Sequence, residues 1–493
     1  MDRGHVLFFP EHCVLQPTAQ IGSEELELME TVAAQSADEV LVAAALTKAL
    51  GPDVVSTDPV LRDQVGHDRS SHTWEPALAV VRPRSADQVA AAVRICAEHS
   101  VPMVPRGAGT GLEGGANTTA ASVSVDLSTM DQILEVAADD MYARVEAGVM
   151  KSALNTALAE HGLHFPVGPG VDASLGGMTA TSASGTTAVS SGTLKENVIG
   201  LTAVLADGSV ITTGSTTKKT SAGYDLTHLL VGSEGTLGII TEVAVTLHPV
   251  PEATMMGIWS LPTLGAAADL VVASLRSSLR LARVELLDDA TVEALAAYSG
   301  YRAPVAPTLM VEFAGHGPEV AAQYVQFTAL AERFHAVEFA ASGDPAESQV
   351  LWQARHDALP AAIAMVPGST AIPTDVCVPI SQLSACILQT QEDVRSSGLV
   401  APIVGHVGDG NFHVAIIVPP QDDDAASRAA QLASRLVDRA LAMGGTCTGE
   451  HGVGTGKITA LAKEHASSLA AMRAVKTALD PQGIMNPGKV FSS

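Results

Sequence analysis

Two short segments in the last hundred residues concentrate side chains able to hold a metal or move a proton. GHVGDGNFH carries His406 and His413 on either side of a glycine turn, and TGEHGVGTGK sets Glu450 beside His451. Two imidazoles and one carboxylate can bind a divalent cation and leave coordination positions open, as a catalytic metal requires. This spacing is less specific than H-E-x-x-H. Any one of the chain's 16 histidines, taken alone, reads as a surface or satisfied core residue. Asp409 in G-D-G has two readings, a partner for the histidines or an ordinary turn residue. Arg355 in LWQARHDAL reads, by itself, as half of a surface ion pair. His356, next to it, would point elsewhere on a helix.

A second kind of chemistry lies in the glycine-rich segments. PRGAGTGLEGG, residues 105–115, follows a strand-like run. Glycines let backbone approach a ligand closely, and successive N–H groups form an anion-binding nest. The segment lacks the Gly-Lys-Ser/Thr of a P-loop. It does not open a helix as a dinucleotide G-x-G-x-x-G does. GPGVDASLGGMTATSASGTTA, residues 168–188, is longer than a compact domain usually holds without function. With GSEGTLGIIT at 232–241, these loops can wrap a large pyrophosphate-containing cofactor on backbone amides alone.

RGAGTGLEGG, DASLGGM, ASGT and VGSEGTLGIIT together resemble the FAD-binding half of the vanillyl-alcohol-oxidase/p-cresol-methylhydroxylase flavoprotein superfamily. Within it, the chain is similar to the group of D-lactate dehydrogenases (cytochrome), glycolate oxidases and D-2-hydroxyglutarate dehydrogenases. The resemblance runs from about residue 70 to about 490. It implies an α+β fold: a p-cresol-methylhydroxylase-type FAD-binding domain, and a cap domain with an antiparallel sheet and flanking helices. It implies FAD in contact with Arg106, Gly107, Ala108, Gly109, Thr110 and Gly111. In the second loop the implied contacts are Pro169, Asp172, Ser174, Gly176, Gly177, Ser184, Gly185 and Thr186. Glu234, Ile239 and Ile240 follow in the third, and Asn486 in DPQGIMNPGKV. Some members tether the flavin through a histidine in the first loop. Residues 106–110 contain none, so the implied FAD is non-covalent.

The same resemblance implies that His406, His413 and Glu450 ligate a divalent metal (zinc, manganese or iron). It implies that His451 is the catalytic base and that Arg355 meets the substrate's carboxylate. In that scheme the cation lowers the pKa of the substrate hydroxyl, His451 takes its proton, and the C2 hydrogen leaves as a hydride to flavin N5. Leu359, Pro373 and Ala415 stand where hydroxyglutarate enzymes carry polar groups for a distal carboxylate. A small or apolar D-2-hydroxy acid, D-lactate first, is therefore expected ahead of D-2-hydroxyglutarate or glycolate. Gly168 and Leu359 replace an aspartate and a tryptophan of the relatives, changes that widen the pocket. A flavin-dependent alkyl-dihydroxyacetone-phosphate-synthase-like transferase should need a basic phosphate cluster, which the cap lacks. A zinc hydrolase leaves the glycine loops unexplained. An inactive flavin subunit has no need of all three ligand positions plus His451.

The elements that must position these residues follow from periodicity. A flexible leader is expected over 1–28. An FAD-binding domain of two α+β subdomains is expected over 29–250, with a helix over 29–50 and a strand–helix–strand unit from Trp74 to Gly107. The helix of that unit is capped by Ser85. Five strand-like runs between 122 and 248 and one helix near 151–161 complete it. A cap carrying the metal site is expected over 251–455, and a C-terminal helix and segment over 456–493 return to the FAD domain. The weakly charged stretch Ala253–Leu275 carries Pro262, Gly265 and Asp269 and reads as a buried strand and helix, not a membrane span.

Composition narrows the partners. In 493 residues, 53 acidic and 28 basic side chains leave a net charge of −25. That balance excludes nucleic-acid binding and docking on anionic membranes. Five cysteines without a C-x-x-C argue against a disulfide framework or an iron–sulfur cluster and fit a reduced, cytoplasmic setting. A small 2-hydroxy acid, an electron acceptor (quinone, cytochrome, electron-transfer flavoprotein or dioxygen) and a monomer or homodimer complete the expectations. Both anions, substrate and pyrophosphate, need local devices in so acidic a protein: amide nests, the metal and Arg355.

Overall fold

The structure is a computed structural model that describes residues 41–492. The expected leader over 1–28 and the start of the helix expected over 29–50 lie outside the described residues; residues 41–50 are helical.

Three sheets organise the chain. The first has four strands in the order Val55–Ser56, Ala79–Val81, Val123–Asp126, Met103–Arg106, the last three parallel. Helix Ala86–Glu98 supplies the crossover, and Ser85 caps it by accepting from the N–H of Gln88. The strand expected from Trp74 is formed only over Ala79–Val81. Pro76 has no N–H to give to a ladder, and residues 75 and 78 pair singly with 118 and 122.

The second sheet is antiparallel, in the order Ile133–Ala137, Tyr142–Glu146, Ile239–Thr246, Val198–Val204, Val210–Gly214. Periodicity does not reveal its first strand, because none of that strand's residues is fully buried. The segment 168–188 is not one loop: Leu175–Ala180 forms a short helix inside it.

The third sheet has eight strands, all antiparallel. Its path is Val337–Ser342, Ala253–Ser260, Thr308–Gly315, Arg283–Leu287, Ile403–Gly405, Asn411–Val418, Thr370–Pro373, and Val376–Cys377 also pairs with Asn411–Val418. Helices Leu264–Leu275, Gly317–Glu332, Leu383–Ser397 and Asp423–Ala442 supply residues to the core on one face, around Trp259, Phe313, Phe327 and Phe412. Helix Pro345–Ala364 covers the other face through Trp352, Ala354, Ala358 and Ala361. It ends at Ala364, and Thr370–Pro373 becomes an edge strand. The final helical stretch is two helices, Ile458–Glu464 and Leu469–Leu479.

The chain end returns to the first sheet. Met103 N–H donates to Ile484, Asn486 N–H donates to Met103, and Ile484 and Met485 join that sheet's core. The stretch 253–275 is a strand and a packed helix, and no helix among the described residues is long and apolar enough to cross a membrane.

Candidate functional site

Strand alternation aims the site. In a strand, successive side chains face opposite sides. Val284 and Leu286, and likewise Phe412, Val414 and Ile416, enter the core on one face of the eight-stranded sheet. Glu285 and Leu287 therefore face the other side, as do His413 and Ala415. Val404 pairs directly with His413 and packs on that same face. His406 follows two residues after Val404. One hairpin thus presents His406 and His413 together, under helix Pro345–Ala364, which carries Arg355.

Glu450 arrives from the loop after helix Asp423–Ala442. Its Oε1 lies 3.2 Å from His406 Nε2 and 3.3 Å from His413 Nε2. Its Oε2 is buried without a partner. The two imidazoles are nearly perpendicular, 5.3 Å between centroids. His413 Nδ1 donates to the carbonyl of Thr374 at 3.0 Å, and His406 Nδ1 lies 2.6 Å from Oε1 of Glu285. Both Nδ1 positions are thus held by acceptors, which turns both Nε2 atoms toward Glu450. His451 stacks on His413, 5.1 Å between centroids and 6° between planes, with its Nε2 3.8 Å from Glu450 Oε1.

Electrostatics follow from burial and charge. Burial works against protonated His406, yet the carboxylates of Glu285 and Glu450 override it and push its pKa up to about 10. Burial would raise Glu450, but His406 and His413 hold it well below the usual carboxylate range. Burial lowers His451 despite the pull of Asp375, which keeps this imidazole neutral and able to accept a proton.

His406, His413 and Glu450 fit a divalent cation. Their ligand atoms lie within 4.8 Å of one another, and the unpartnered Glu450 Oε2 offers a further oxygen. Asp375, His413 and His451 also cluster at that distance, but Asp375 is already spent. Its Oδ2 accepts from the N–H groups of Gly449, Glu450 and His451 at 2.9 Å each and from Thr448 Oγ1 at 2.8 Å. Its Oδ1 accepts from Asn411 at 2.8 Å. Asp375 shapes the loop rather than offering a free ligand oxygen.

A cavity of about 610 Å³ runs from this cluster along the glycine loops. Arg106, Gly107, Ala108, Gly109, Thr110, Gly111, Pro169, Ser174, Gly176, Gly177, Ser184, Thr186, Glu234 and Ile240 line it. So do Arg355, His406, His413, Glu450 and His451. A Cβ on Gly107 would collide with Ser174 Oγ, which explains the glycine there. Gly109 adopts φ +67° with the Arg106 guanidinium folded against it. The small-residue walls and their amide groups fit a long cofactor carrying a pyrophosphate.

Four of the expected contacts do not line this cavity. Asp172 is exposed and accepts from Ser152. Ile239 is buried in the core of the first sheet. Gly185 abuts Gly168, where a Cβ would strike the carbonyl. Asn486 joins three segments instead, its Nδ2 donating to the carbonyls of Gly115 at 3.0 Å and Glu234 at 2.7 Å. Glu234 does line the cavity, and its carboxylate also receives the N–H groups of Val453 at 2.6 Å and Gly454 at 2.8 Å. Asp409 is a turn residue whose carboxylate accepts from Asn411 N–H and makes no hydrogen bond to either imidazole; only its backbone N–H reaches the His406 carbonyl, at 3.3 Å. That supporting role belongs to Glu285 and Thr374. His356 does line the cavity, contrary to its expected direction, because the 168–171 loop wraps around to meet it.

No spacing signal in the sequence points to Glu285 or Asp375, and Lys457, though it ends TGEHGVGTGK, carries no role from that motif. Asp375 sits in TDVCVPI, a strand-like run without a spacing signal. Glu285 is the one acidic residue in the strand RVELL, and a carboxylate between buried Val284 and Leu286 is the one signal available for it.

Comparison with known proteins agrees with this geometry. A family model described as "FAD binding domain" matches residues 77–214, and one described as "FAD linked oxidases, C-terminal domain" matches 250–490. A protein of Danio rerio named probable D-lactate dehydrogenase, mitochondrial, is 45% identical over 446 residues, covering 90% of each chain. The Arabidopsis thaliana mitochondrial D-lactate dehydrogenase [cytochrome] is 40% identical over 430 residues, 86% of this chain and 76% of that one. The solved 4-ethylphenol oxidase of Gulosibacter chungangensis superimposes with a TM-score of 0.75 over 92% of this chain and 97% of its own, at 16% identity. This last likeness extends the p-cresol-methylhydroxylase-type fold to the chain. Taken with the cavity and its glycine walls, these matches establish that the chain belongs to the FAD-linked oxidase family, as an oxidoreductase of the D-lactate dehydrogenase, glycolate oxidase and D-2-hydroxyglutarate dehydrogenase group.

Proposed function

We propose that the protein oxidises a small or apolar D-2-hydroxy acid, D-lactate first, to the 2-oxo acid, using non-covalent FAD and one divalent cation at His406, His413 and Glu450. The observation that carries this reading is the convergence of two Nε2 atoms on one Glu450 oxygen, at the end of a cavity walled by glycine loops. His406, His413 and Glu450 would hold the cation, which would supply Lewis-acid polarisation of the substrate hydroxyl, and a flavin in the glycine loops would supply the two-electron acceptor for the C2 hydrogen.

The chain's own residues do the rest. Neutral His451 receives the hydroxyl proton at Nε2, the ring nitrogen turned toward the cluster. Stacking on His413 holds its plane, and Asp375 holds its backbone. Arg355 binds the substrate carboxylate through its two Nη groups, because its Nε is taken by Glu285 at 2.6 Å. Leu359, Pro373, Val404 and Ala415 line the same cavity and offer an apolar wall to the substituent on C2. A dicarboxylate such as D-2-hydroxyglutarate is the second reading, supported by Gln353 and His356 on the cavity wall.

Anaerobic mixing of the flavin-loaded protein with D- and L-lactate tests the proposal. D-lactate should bleach the flavin band, L-lactate should not, and a chelator should abolish the response. A flavin that no 2-hydroxy acid reduces overturns the reading.

A further inference from the structure

Glu285 lies between two groups to which the proposed chemistry gives separate tasks. It is fully buried on strand Arg283–Leu287. Its Oε1 is 2.6 Å from His406 Nδ1 and its Oε2 is 2.6 Å from Arg355 Nε. A buried lone carboxylate is costly, so these two donors are what make the charge tolerable in the core. The reverse also holds. The first bond turns His406 Nε2 toward Glu450, and the second leaves only the Nη edge of Arg355 for the cavity. Central strands hold Glu285 on both sides, Leu286 pairing with Gly405 and with Leu309. One rigid carboxylate therefore sets the place of a metal-ligand candidate and of the carboxylate-binding arginine at once.

We infer that Glu285 is a positioning residue that ties metal binding at His406 to carboxylate binding at Arg355. The inference rests on the roles given above to those two residues. A glutamine in its place keeps the shape but has one acceptor and one donor end. Its amide N–H₂ would have to face either His406 Nδ1–H or Arg355 Nε–H, and both bonds cannot survive.

The test uses flavin-loaded full-length protein and two probes: Mn²⁺ titrated alone, and oxalate titrated at saturating Mn²⁺ with the flavin band as readout. Glu285→Gln should raise the Mn²⁺ dissociation constant about 10- to 100-fold. It should also weaken oxalate at least about tenfold, and raise KM for D-lactate more than it lowers kcat. In an Arg355→Met background the oxalate effect of Glu285→Gln should vanish while its Mn²⁺ effect persists. Should Glu285→Gln not fold, Arg355→Met alone must shift the Mn²⁺ constant about fivefold. Unchanged Mn²⁺ binding in either variant, or an oxalate effect that survives Arg355→Met, overturns the inference. A wild-type protein that takes up no Mn²⁺ sinks the metal reading of the site and this inference with it. Normal wild-type uptake with an unaffected Glu285→Gln sinks the inference alone.

Discussion

The backbone N–H of His451 donates to Oδ2 of Asp375 at 2.9 Å, and the N–H groups of Gly449 and Glu450 reach the same oxygen. One buried carboxylate thereby folds the loop that carries both a candidate metal ligand and the candidate base. Lys457 completes the arrangement, 3.4 Å from that oxygen and 3.1 Å from Glu113. Asp375→Asn puts an amide donor against a ring of donors. It should lower stability by about 3 kcal/mol or more and slow flavin reduction. Denaturant unfolding of the two proteins checks the first effect, and equal midpoints would refute it.

Loss of the base should separate binding from chemistry. His451→Gln removes the proton acceptor without touching Arg355. The rate of flavin reduction by D-lactate should fall about 10²- to 10⁴-fold while oxalate binding stays near wild type. A variant that reduces at the wild-type rate removes His451 from the mechanism.

Metal removal should leave the flavin in place. The glycine loops that wall the cavity, residues 106–111, 169–186 and 234–240, contain none of His406, His413 or Glu450, which line it at the cluster end. Dialysis against a chelator should preserve the flavin spectrum and abolish bleaching by substrate, and Mn²⁺ or Zn²⁺ should restore it. Full activity after exhaustive chelation would count against a metal at this site.

The apolar wall should set substrate choice. Leu359 is 37% exposed on helix Pro345–Ala364 and lines the cavity, so a longer side chain fits there without repacking the core. Leu359→Arg supplies a charge-assisted partner for a distal carboxylate. It should move the ratio of kcat/KM toward D-2-hydroxyglutarate over D-lactate by about 10- to 100-fold. An unmoved ratio would place the substituent elsewhere.

Glu234 should tie stability to pH. Burial pushes its carboxyl up from the ordinary 4.5 to about 7, against the amides of Val453 and Gly454. The folded protein then holds a proton that the unfolded chain loses, so the stability linked to this group is full below pH 4.5 and is lost as pH rises toward 7. Thermal midpoints of wild type and Glu234→Gln should converge in slope above that window and differ within it. Parallel profiles across the whole range would contradict the assignment.

Much of the site is legible in the amino-acid sequence. The glycine loops announce a cofactor because backbone-rich sequence of that length has few other uses. GHVGDGNFH announces a cluster because alternation along a hairpin puts His406, His413 and Ala415 on the face opposite Phe412 and Val414. Such signals are local, set by spacing along one strand or one turn. Of the two readings of Asp409, the turn residue is the one the structure bears out, because its carboxylate serves its own turn.

Local pattern therefore determined the glycine loops and the paired histidines, and the family resemblance of those motifs implied the fold class and the apolar residues of the pocket wall. Tertiary structure decided what meets them. Glu285 reaches His406 across 121 positions and Arg355 across 70, and Asp375 reaches Glu450 across 75. These carboxylates look like ordinary acidic residues in the chain, because no spacing rule links them to their partners. Their roles arise only when strand pairing buries each charge, and burial then demands donors that distant segments bring.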